Sequence, residues 1–198
     1  MNTAIQRNEK RTTHSILTLF KLISLSLILV LVGSTYAQAE EKKKAAKPNM
    51  IAAKSRISAP DFELDDLSGD LVVLSELKGK VVVIVFWATW CEPCKQEIPF
   101  LSKMRDKYKS QGFEVLTIST DNAQTQSRVD HYARKWNTRT MIDTDGEVKA
   151  LLNPRGFAPY TLVIDRDGLI AFNYQGYQAG DEKMIEEIVK SLLSKKTN

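Results

Sequence analysis

The fold is decided by residues 81–95, which read VVVIVFWATWCEPCK. The first seven residues are apolar and mostly β-branched, as is typical of a strand covered on both faces of its sheet. A helix is predicted to begin near Cys91 and to run to about Ser110. Pro93 suits the first turn of this helix, because the missing N–H of proline costs nothing there. The stretch therefore predicts a buried strand, a short turn and a helix that starts at a cysteine.

Two cysteines, Cys91 and Cys94, lie three positions apart at the start of this helix. The helix dipole and the free backbone N–H groups favour an anion at Cys91, which lowers the pKa of its thiol. Cys94 lies one turn further on, within the ~4.4–6.8 Å between Cα atoms that a disulfide accepts. We therefore expect Cys91 to be the exposed attacking sulfur and Cys94 the sheltered resolving sulfur. Trp90 is expected to shield the pair and to offer an apolar face to a substrate.

A redox role explains the cysteine pair better than a structural role. A disulfide between Cys91 and Cys94 closes so small a loop that it removes little entropy from the unfolded chain. A zinc site needs three or four protein ligands, and after residue 39 the sequence has only His131 besides the two cysteines as histidine or cysteine ligands. We therefore predict no metal and no bound cofactor, only a redox-active disulfide.

The remaining pattern predicts an α/β domain with a central mixed sheet, helices on both faces, an N-terminal β-hairpin and a central strand–helix insertion. Apolar runs between turn residues indicate the strands, and apolar positions at helical spacing indicate the helices. The predicted strands are residues 62–64, 71–74, 81–87, 113–119, 138–142, 160–164 and 169–172. The predicted helices after the one at Cys91 are residues 124–136, 147–152 and 181–193.

The first 39 residues have the pattern of an export signal. Basic residues precede an apolar run at residues 22–32, and Ala37-Gln38-Ala39 follows as a small-x-small cleavage site. An uncleaved membrane anchor is the alternative, although the run is shorter than the ~20 residues that span a bilayer comfortably. We predict a signal peptide cut after Ala39 and a domain that acts outside the cytoplasm, with membrane association only if the leader stays uncleaved.

Residues 40–58 are rich in lysine and alanine, and they predict a flexible charged spacer ahead of a domain at residues 59–198. This domain has 18 basic and 21 acidic residues. The basic isoelectric point of the whole chain therefore belongs to the leader and the spacer. The charge of the domain gives no support for nucleic-acid binding.

Three runs of the sequence resemble the exported TlpA/ResA-type branch of the thioredoxin superfamily. They are residues 86–95 (FWATWCEPCK), 59–62 (APDF) and 156–165 (GFAPYTLVID), and the resemblance covers about residues 59–195. It implies a thioredoxin fold and a thiol:disulfide oxidoreductase activity. It also implies that Pro159 is a cis-proline facing the disulfide and that Ala158 offers backbone hydrogen bonds to a bound peptide.

One position departs from the thioredoxin pattern. Thioredoxins carry a buried Asp in the strand six residues before the first cysteine, where it helps to move protons, and this chain has Val85 there. Glu92, between the cysteines, is the first candidate to replace that carboxyl as an acid/base or pKa-tuning group. Its other interpretation is a solvated residue that merely suits the helix dipole. Glu97 is a weaker candidate for the same role.

The resemblance favours a reductant of specific disulfides in the periplasm or at the extracytoplasmic face of the bacterial inner membrane. Apocytochrome c is the implied substrate class, because its haem-site cysteines must be reduced before haem is attached. A membrane thiol electron donor is the implied partner that restores the dithiol. Glu92 also favours a reductant, since a negative charge beside Cys91 disfavours the thiolate that a strong oxidant stabilises.

Three other functions fit parts of the sequence. A disulfide oxidase or isomerase uses the same cysteine pair, and a non-catalytic peptide-binding or chaperone module uses the same scaffold. Such modules commonly lose a cysteine or the cis-proline. A peroxiredoxin shares the APDF start, but it needs Thr or Ser three residues before its catalytic cysteine and Pro seven residues before it. This chain has Ala88 and Ile84 at those positions, which excludes a peroxiredoxin.

Overall fold

The computed structural model of the chain describes residues 50–122 and 124–195. The predicted signal peptide, residues 1–39, and the first part of the predicted spacer, residues 40–49, lie outside these ranges. Across the described ranges, no helix combines the length and the apolar character that crossing a membrane requires.

The described residues form seven strands and four α-helices, close to the predicted set. The strands are β1 (Glu63–Asp65), β2 (Leu71–Val73), β3 (Val81–Trp87), β4 (Phe113–Ser119), β5 (Arg139–Ile142), β6 (Tyr160–Ile164) and β7 (Ile170–Gln175). The α-helices are α1 (Glu92–Tyr108), α2 (Ser127–Trp136), α3 (Glu147–Leu152) and α4 (Asp181–Leu193). Short 3-10 helices lie at Ala53–Ser55, Leu74–Leu77 and Lys109–Gln111.

Five strands form one mixed sheet in the order β5-β4-β3-β6-β7, and β1 pairs with β2 in a separate hairpin. β3 runs parallel to β4 and antiparallel to β6, and all seven of its residues are buried. This central position explains why the sequence of β3 is a continuous apolar run rather than an alternating one. The predicted thioredoxin fold is confirmed, with the N-terminal hairpin in place and with β5 and α3 as the strand–helix insertion.

Alternate residues of β3 face opposite sides of the sheet, so the domain has two hydrophobic clusters. The first cluster contains Val85 and Trp87 together with both cysteines and apolar residues of α1, α2 and α4. The second contains Ile84 and Phe86 with residues of the β1–β2 hairpin, the adjacent 3-10 helix and α3. Helices cover both faces as predicted, and the three longest helices share the face that carries the cysteines.

Two element boundaries differ from the prediction by three residues, and the others lie within two. α2 begins at Ser127 rather than at residue 124, because the side chain of Asn122 accepts hydrogen bonds from the backbone N–H of Gln124 and from the hydroxyl of Thr125 in a turn. β7 extends to Gln175 because its residues continue to pair with β6.

The end of the predicted spacer is attached to the domain. The backbone N–H of Ile51 donates to the carbonyl of Ala171 in β7 at 2.9 Å. Arg56 forms a buried ion pair with Asp165, with 2.7 Å between Nη1 and Oδ2. Residues 51–58 therefore differ from the flexible spacer that their lysine- and alanine-rich sequence predicts, because the carboxylate that binds Arg56 lies 109 positions further along the chain.

Candidate active site

The cysteine pair lies where β3 ends and α1 begins. Cys91 immediately precedes the first turn of α1, and it forms a disulfide with Cys94 in which the Cα atoms are 5.4 Å apart. The backbone N–H of Cys94 donates to Sγ of Cys91 at 3.3 Å. A sulfur at this position has a backbone donor and the positive end of the helix dipole beside it, and both favour a thiolate once the disulfide is reduced.

Both cysteines are covered in the disulfide form. Cys91 is 2% exposed and Cys94 is 0% exposed. Cys91 is therefore not exposed in the disulfide form, contrary to the expectation. The disulfide holds the Cys91 sulfur against Cys94, and the side chain of Cys94 faces the first hydrophobic cluster. Trp90, which is 66% exposed, presents a large apolar surface next to the pair. Pro93 is exposed in the first turn of α1, where the sequence predicted it.

A hydrogen-bond network that the sequence analysis missed holds the turn before Cys91. The carboxylate of Asp121, which is 3% exposed, accepts from the backbone N–H of Thr89 at 2.8 Å and from its hydroxyl at 2.6 Å. Ser119 also donates its hydroxyl to Asp121, at 2.8 Å. A sequence signal for this contact exists, since Asp121 follows the end of β4, whose carboxyl end lies at the same edge of the sheet as that of β3. Asp121 therefore positions the turn that leads to the cysteines.

The second loop of the site contains a cis peptide bond between Ala158 and Pro159, as the resemblance implied. Ala158 packs against the cluster that contains the cysteines, and the carbonyl of Pro159 accepts from the backbone N–H of Gly176 at 2.9 Å. Within the part of the chain that the structure describes, neither the N–H nor the C=O of Ala158 makes a hydrogen bond. Both groups can therefore pair with the backbone of an extended peptide, and this role for Ala158 and Pro159 stays a prediction.

A carboxyl group is buried one helical turn after Cys94. Glu97 is 0% exposed, and its Oε1 accepts a 2.6 Å hydrogen bond from the hydroxyl of Thr161 in β6. Thr161 pairs with Val85 across the sheet, so the carboxyl of Glu97 lies beside the position where thioredoxins carry their buried Asp. Among the described residues, Oε2 of Glu97 has no hydrogen-bond partner. This oxygen can therefore accept a proton.

The protonation of Glu97 is poised near neutral pH. Burial raises the pKa of Glu97 to about 7, the hydrogen bond from Thr161 opposes this shift, and the negative charge of Asp181 in the first turn of α4 adds to it. The protonated and ionised forms of Glu97 therefore coexist at neutral pH, which suits a general acid or base.

The other candidate carboxylate, Glu92, lies at the surface. Its side chain is 77% exposed and forms an ion pair with Lys95, with 2.7 Å between Oε1 and Nζ. The hydrogen bond with Glu92 raises the pKa of Lys95, whose Nζ also lies over the ring of Tyr132 at 5.2 Å from the centroid. An exposed charge that is paired and screened by solvent interacts weakly with its surroundings. The geometry therefore favours Glu97 over Glu92 as the acid/base group, which reverses the order that the sequence suggested.

The arrangement as a whole is suited to thiol–disulfide exchange. It combines a cysteine at a helix start, a second cysteine one turn on, a buried carboxyl and a loop with free backbone groups for a peptide. Within residues 50–122 and 124–195, no three His, Cys, Asp or Glu side chains are grouped closely enough to hold a metal ion.

Comparisons with known proteins agree with this geometry. Residues 57–173 match the family described as AhpC/TSA. The chain is 30% identical over 182 residues to the thiol-disulfide oxidoreductase ResA of Bacillus thuringiensis subsp. konkukian, a match that covers 88% of this chain and 95% of that protein. It is 38% identical over 125 residues to ResA of Oceanobacillus iheyensis, covering 60% of this chain and 64% of that protein. The crystal structure of a thiol:disulfide interchange protein, a thioredoxin family protein from Chlorobium tepidum TLS, is 27% identical with a TM-score of 0.62 and covers 72% of this chain and 100% of that one.

Proposed function

The chain belongs to the AhpC/TSA family and to the thioredoxin-like thiol-disulfide oxidoreductases of the ResA type, and from that premise we propose that it reduces specific protein disulfides outside the cytoplasm. The observation that carries the proposal is the buried carboxyl of Glu97, one helical turn after Cys94. This group supplies the proton acceptor that the second step of disulfide reduction needs.

In the first step, the thiolate of Cys91 attacks one sulfur of the substrate disulfide. A mixed disulfide forms between Cys91 and the substrate, and the other substrate sulfur leaves as a thiolate that takes up a proton. The backbone N–H of Cys94 stabilises the attacking thiolate. The exposed ring of Trp90 and the free backbone groups of Ala158 hold the substrate chain beside the sulfur.

In the second step, Cys94 attacks the Cys91 sulfur of the mixed disulfide. Ionised Glu97 takes the proton of the Cys94 thiol, since residues three apart on a helix are neighbours on its surface. The new thiolate displaces the second substrate sulfur, which leaves as a thiol after protonation. The substrate has then gained two electrons and two protons, and the protein holds the Cys91–Cys94 disulfide. A membrane thiol electron donor is the proposed partner that reduces this disulfide again.

The same carboxyl favours a reductant over an oxidant. An ionised Glu97 disfavours a further negative charge on the neighbouring cysteine pair, whereas strong oxidants depend on a stable thiolate in their reduced form. A less stable reduced form donates its electrons more readily. A disulfide oxidase or isomerase is the second candidate function, because the backbone N–H that binds Sγ of Cys91 stabilises a thiolate there.

The finer assignments are supported by the resemblance and by the leader sequence. The proposed substrate class is an apocytochrome c with oxidised haem-site cysteines. The proposed location is the periplasm or the extracytoplasmic face of a bacterial inner membrane, which the export pattern of residues 1–39 supports. The proposed reaction uses the cysteine disulfide alone, without a metal, a separate cofactor or a nucleic acid.

A redox titration and a turnover assay test the proposal together. The reduced protein is mixed with insulin and with a peptide disulfide that contains the two cysteines of a haem-attachment site, and the potential is measured against glutathione. Reduction of the peptide with a potential more negative than that of glutathione supports a reductant. Net oxidation of the reduced peptide, with a potential close to that of strong oxidants, would establish the oxidase instead. Absence of turnover on both substrates would leave a non-catalytic module.

A further inference from the structure

A cavity of about 310 Å³ opens beside the cis-proline loop. Phe157 and Tyr160, the residues on either side of Ala158 and Pro159, both line it. Tyr160 packs on the second hydrophobic cluster, whereas the cysteines belong to the first. The cavity therefore lies on the other side of the cis-proline loop from the disulfide, and a substrate chain that crosses the loop can reach it.

The walls of the cavity are held in place by hydrogen bonds. Asn153, which is 1% exposed, donates its amide N–H to the carbonyl of Phe157 at 2.8 Å and accepts from the backbone N–H of Phe157 at 3.1 Å. The opposite wall belongs to β7, which is paired with β6 from Tyr160 and Gln175 onward. Hydrogen bonds therefore fix both walls of the cavity.

Five of the seven residues that line the cavity have a side chain with an N–H or O–H donor, Pro154 and Phe157 are apolar, and no carboxylate lines it. Arg155 supplies a guanidinium, and Asn173 and Gln175 supply amide N–H groups from β7. Within the described residues, none of these three side chains makes an intramolecular hydrogen bond or ion pair. Burial raises the pKa of Tyr160, and the positive charge of the nearby Arg155 partly opposes this rise.

A donor-rich cavity with one cation and no anion is complementary to a carboxylate. The domain around it is acidic, with 18 basic and 21 acidic residues from residue 59 onward, so the cavity differs in charge from the average surface. An extended chain covers about 7–10 Å in two or three residues. A substrate chain that runs from the disulfide across Ala158 carries the side chain two or three positions from its cysteine about this far along the loop.

We propose that this cavity is a substrate subsite that binds an acidic side chain lying two or three residues from the substrate cysteine, and that Arg155 determines its specificity. The inference rests on the proposed function, because it names the substrate sequence that the disulfide reductase prefers. Asn173 and Gln175 contribute hydrogen bonds to the same carboxylate.

Peptide disulfides that differ at one position test the subsite. Each carries Glu, Gln or Lys two residues before or after the disulfide, and kcat/KM for its reduction is measured with the full mature chain. We expect the Glu peptide to exceed the Lys peptide by about fivefold at low salt, since a solvated ion pair contributes modestly, and to lose this advantage at high salt. Arg155→Glu should reverse the order of the peptides.

Arg128→Glu is the matched control. It makes the same change in net charge on an exposed residue of α2. This helix connects β4 to β5, and β5 forms the opposite edge of the sheet from β7. It should keep the wild-type order of the peptides. Gln175→Glu is a second test within the cavity, because it places a carboxylate on β7 without altering the loop, and it should weaken the preference for Glu.

Two results would overturn the subsite: equal kcat/KM for the three peptides with the wild-type protein, or a preference that Arg155→Glu and Arg128→Glu change equally. Binding of a linear Glu peptide to the disulfide form of the protein is measured separately by fluorescence anisotropy, which needs no turnover. Binding that depends on Arg155 without disulfide reduction would refute the proposed function and keep the subsite. Reduction without a charge preference would refute the subsite and keep the function.

Discussion

Glu97 of α1 and Thr161 of β6 are joined by a 2.6 Å hydrogen bond from the threonine hydroxyl to the buried carboxyl. The bond links the helix that carries Cys94 to the strand that begins directly after the cis-proline. The helix that carries the cysteine pair and the strand that follows the cis-proline loop therefore meet at one carboxyl group.

Replacing Glu97 with Gln should slow the attack of Cys94 on the mixed disulfide by about 10- to 100-fold near neutral pH, because the amide fits the site but accepts no proton. The wild-type rate should rise with pH through about 7, the pKa of Glu97, and the variant should lose this rise. Stopped-flow measurement of a preformed mixed disulfide gives both rates. Glu92→Gln is the comparison, and a much smaller effect is expected from its exposed, Lys95-paired carboxylate. Equal slowing by the two substitutions would contradict the role assigned to Glu97.

The stability of the disulfide form should fall as the pH rises through the pKa of Glu97. Burial raises this pKa from 4.5 to about 7, so the folded protein binds the proton more tightly than the unfolded chain. The stabilisation is complete below pH 4.5 and is lost as the pH passes about 7, and a shift of this size corresponds to about 3 kcal/mol. Urea unfolding at several pH values measures the loss, and Glu97→Gln should remove it. A pH dependence that survives in the variant would show that other groups cause it.

Asp181 in α4 should add to the rise in the pKa of Glu97 that burial causes. Asp181 accepts a 2.9 Å hydrogen bond from the hydroxyl of Tyr174, and its negative charge raises the pKa of Glu97. Asp181→Asn keeps an acceptor for Tyr174 and removes the charge, so the pKa of Glu97, followed by carbon NMR, should fall. The matched control is Glu182→Gln, since Glu182 accepts a comparable 2.7 Å hydrogen bond from Tyr177. A shift of the same size in the control would mean that the charge of Asp181 has no specific effect.

Thr89→Val should destabilise the domain by about 1–3 kcal/mol, because the buried carboxylate of Asp121 loses a hydroxyl donor that has no replacement. The substitution keeps the volume of the side chain and the backbone hydrogen bond at 2.8 Å. Urea unfolding measures the loss. Thr125→Val is the control, because the hydroxyl of Thr125 donates to Asn122 at an exposed position, and less than about 0.5 kcal/mol is expected there. If the two variants lost similar amounts of unfolding free energy, the role of Asp121 in positioning the turn would be wrong.

Cys94→Ser should accumulate mixed disulfides with substrates, whereas Cys91→Ser should not. The hydrogen bond from the Cys94 backbone to Sγ of Cys91 favours the thiolate at Cys91, so Cys91 attacks first and Cys94 resolves. Non-reducing electrophoresis of both variants, after expression of the complete sequence, detects the trapped species. Accumulation in Cys91→Ser alone would reverse the two roles.

Local sequence was sufficient to predict the centre of the fold. The continuous apolar run at the start of residues 81–95 requires a strand covered on both faces, and Cys91 with Pro93 suits a helix start. These preferences depend on neighbours within a few positions, so they can be read without knowing the rest of the chain. The family resemblance added the cis bond before Pro159. By contrast, the contact between Thr89 and Asp121 joins positions 32 residues apart, and its sequence signal can be used only once β3 and β4 are placed side by side in the sheet.

The sequence by itself determined which residues react, because a cysteine pair three positions apart at a helix start has its chemistry from local spacing and the helix dipole. Only the tertiary structure decided which carboxyl is buried next to the pair. Glu92 and Glu97 lie five residues apart on one helix, so they point about 140° apart around its axis, and their spacing does not say which of them meets the sheet. The packing of α1 against β6 buries Glu97 and leaves Glu92 in solvent. Burial raises a carboxyl pKa by removing water from the charged form, and that removal occurs only when distant parts of the chain pack together.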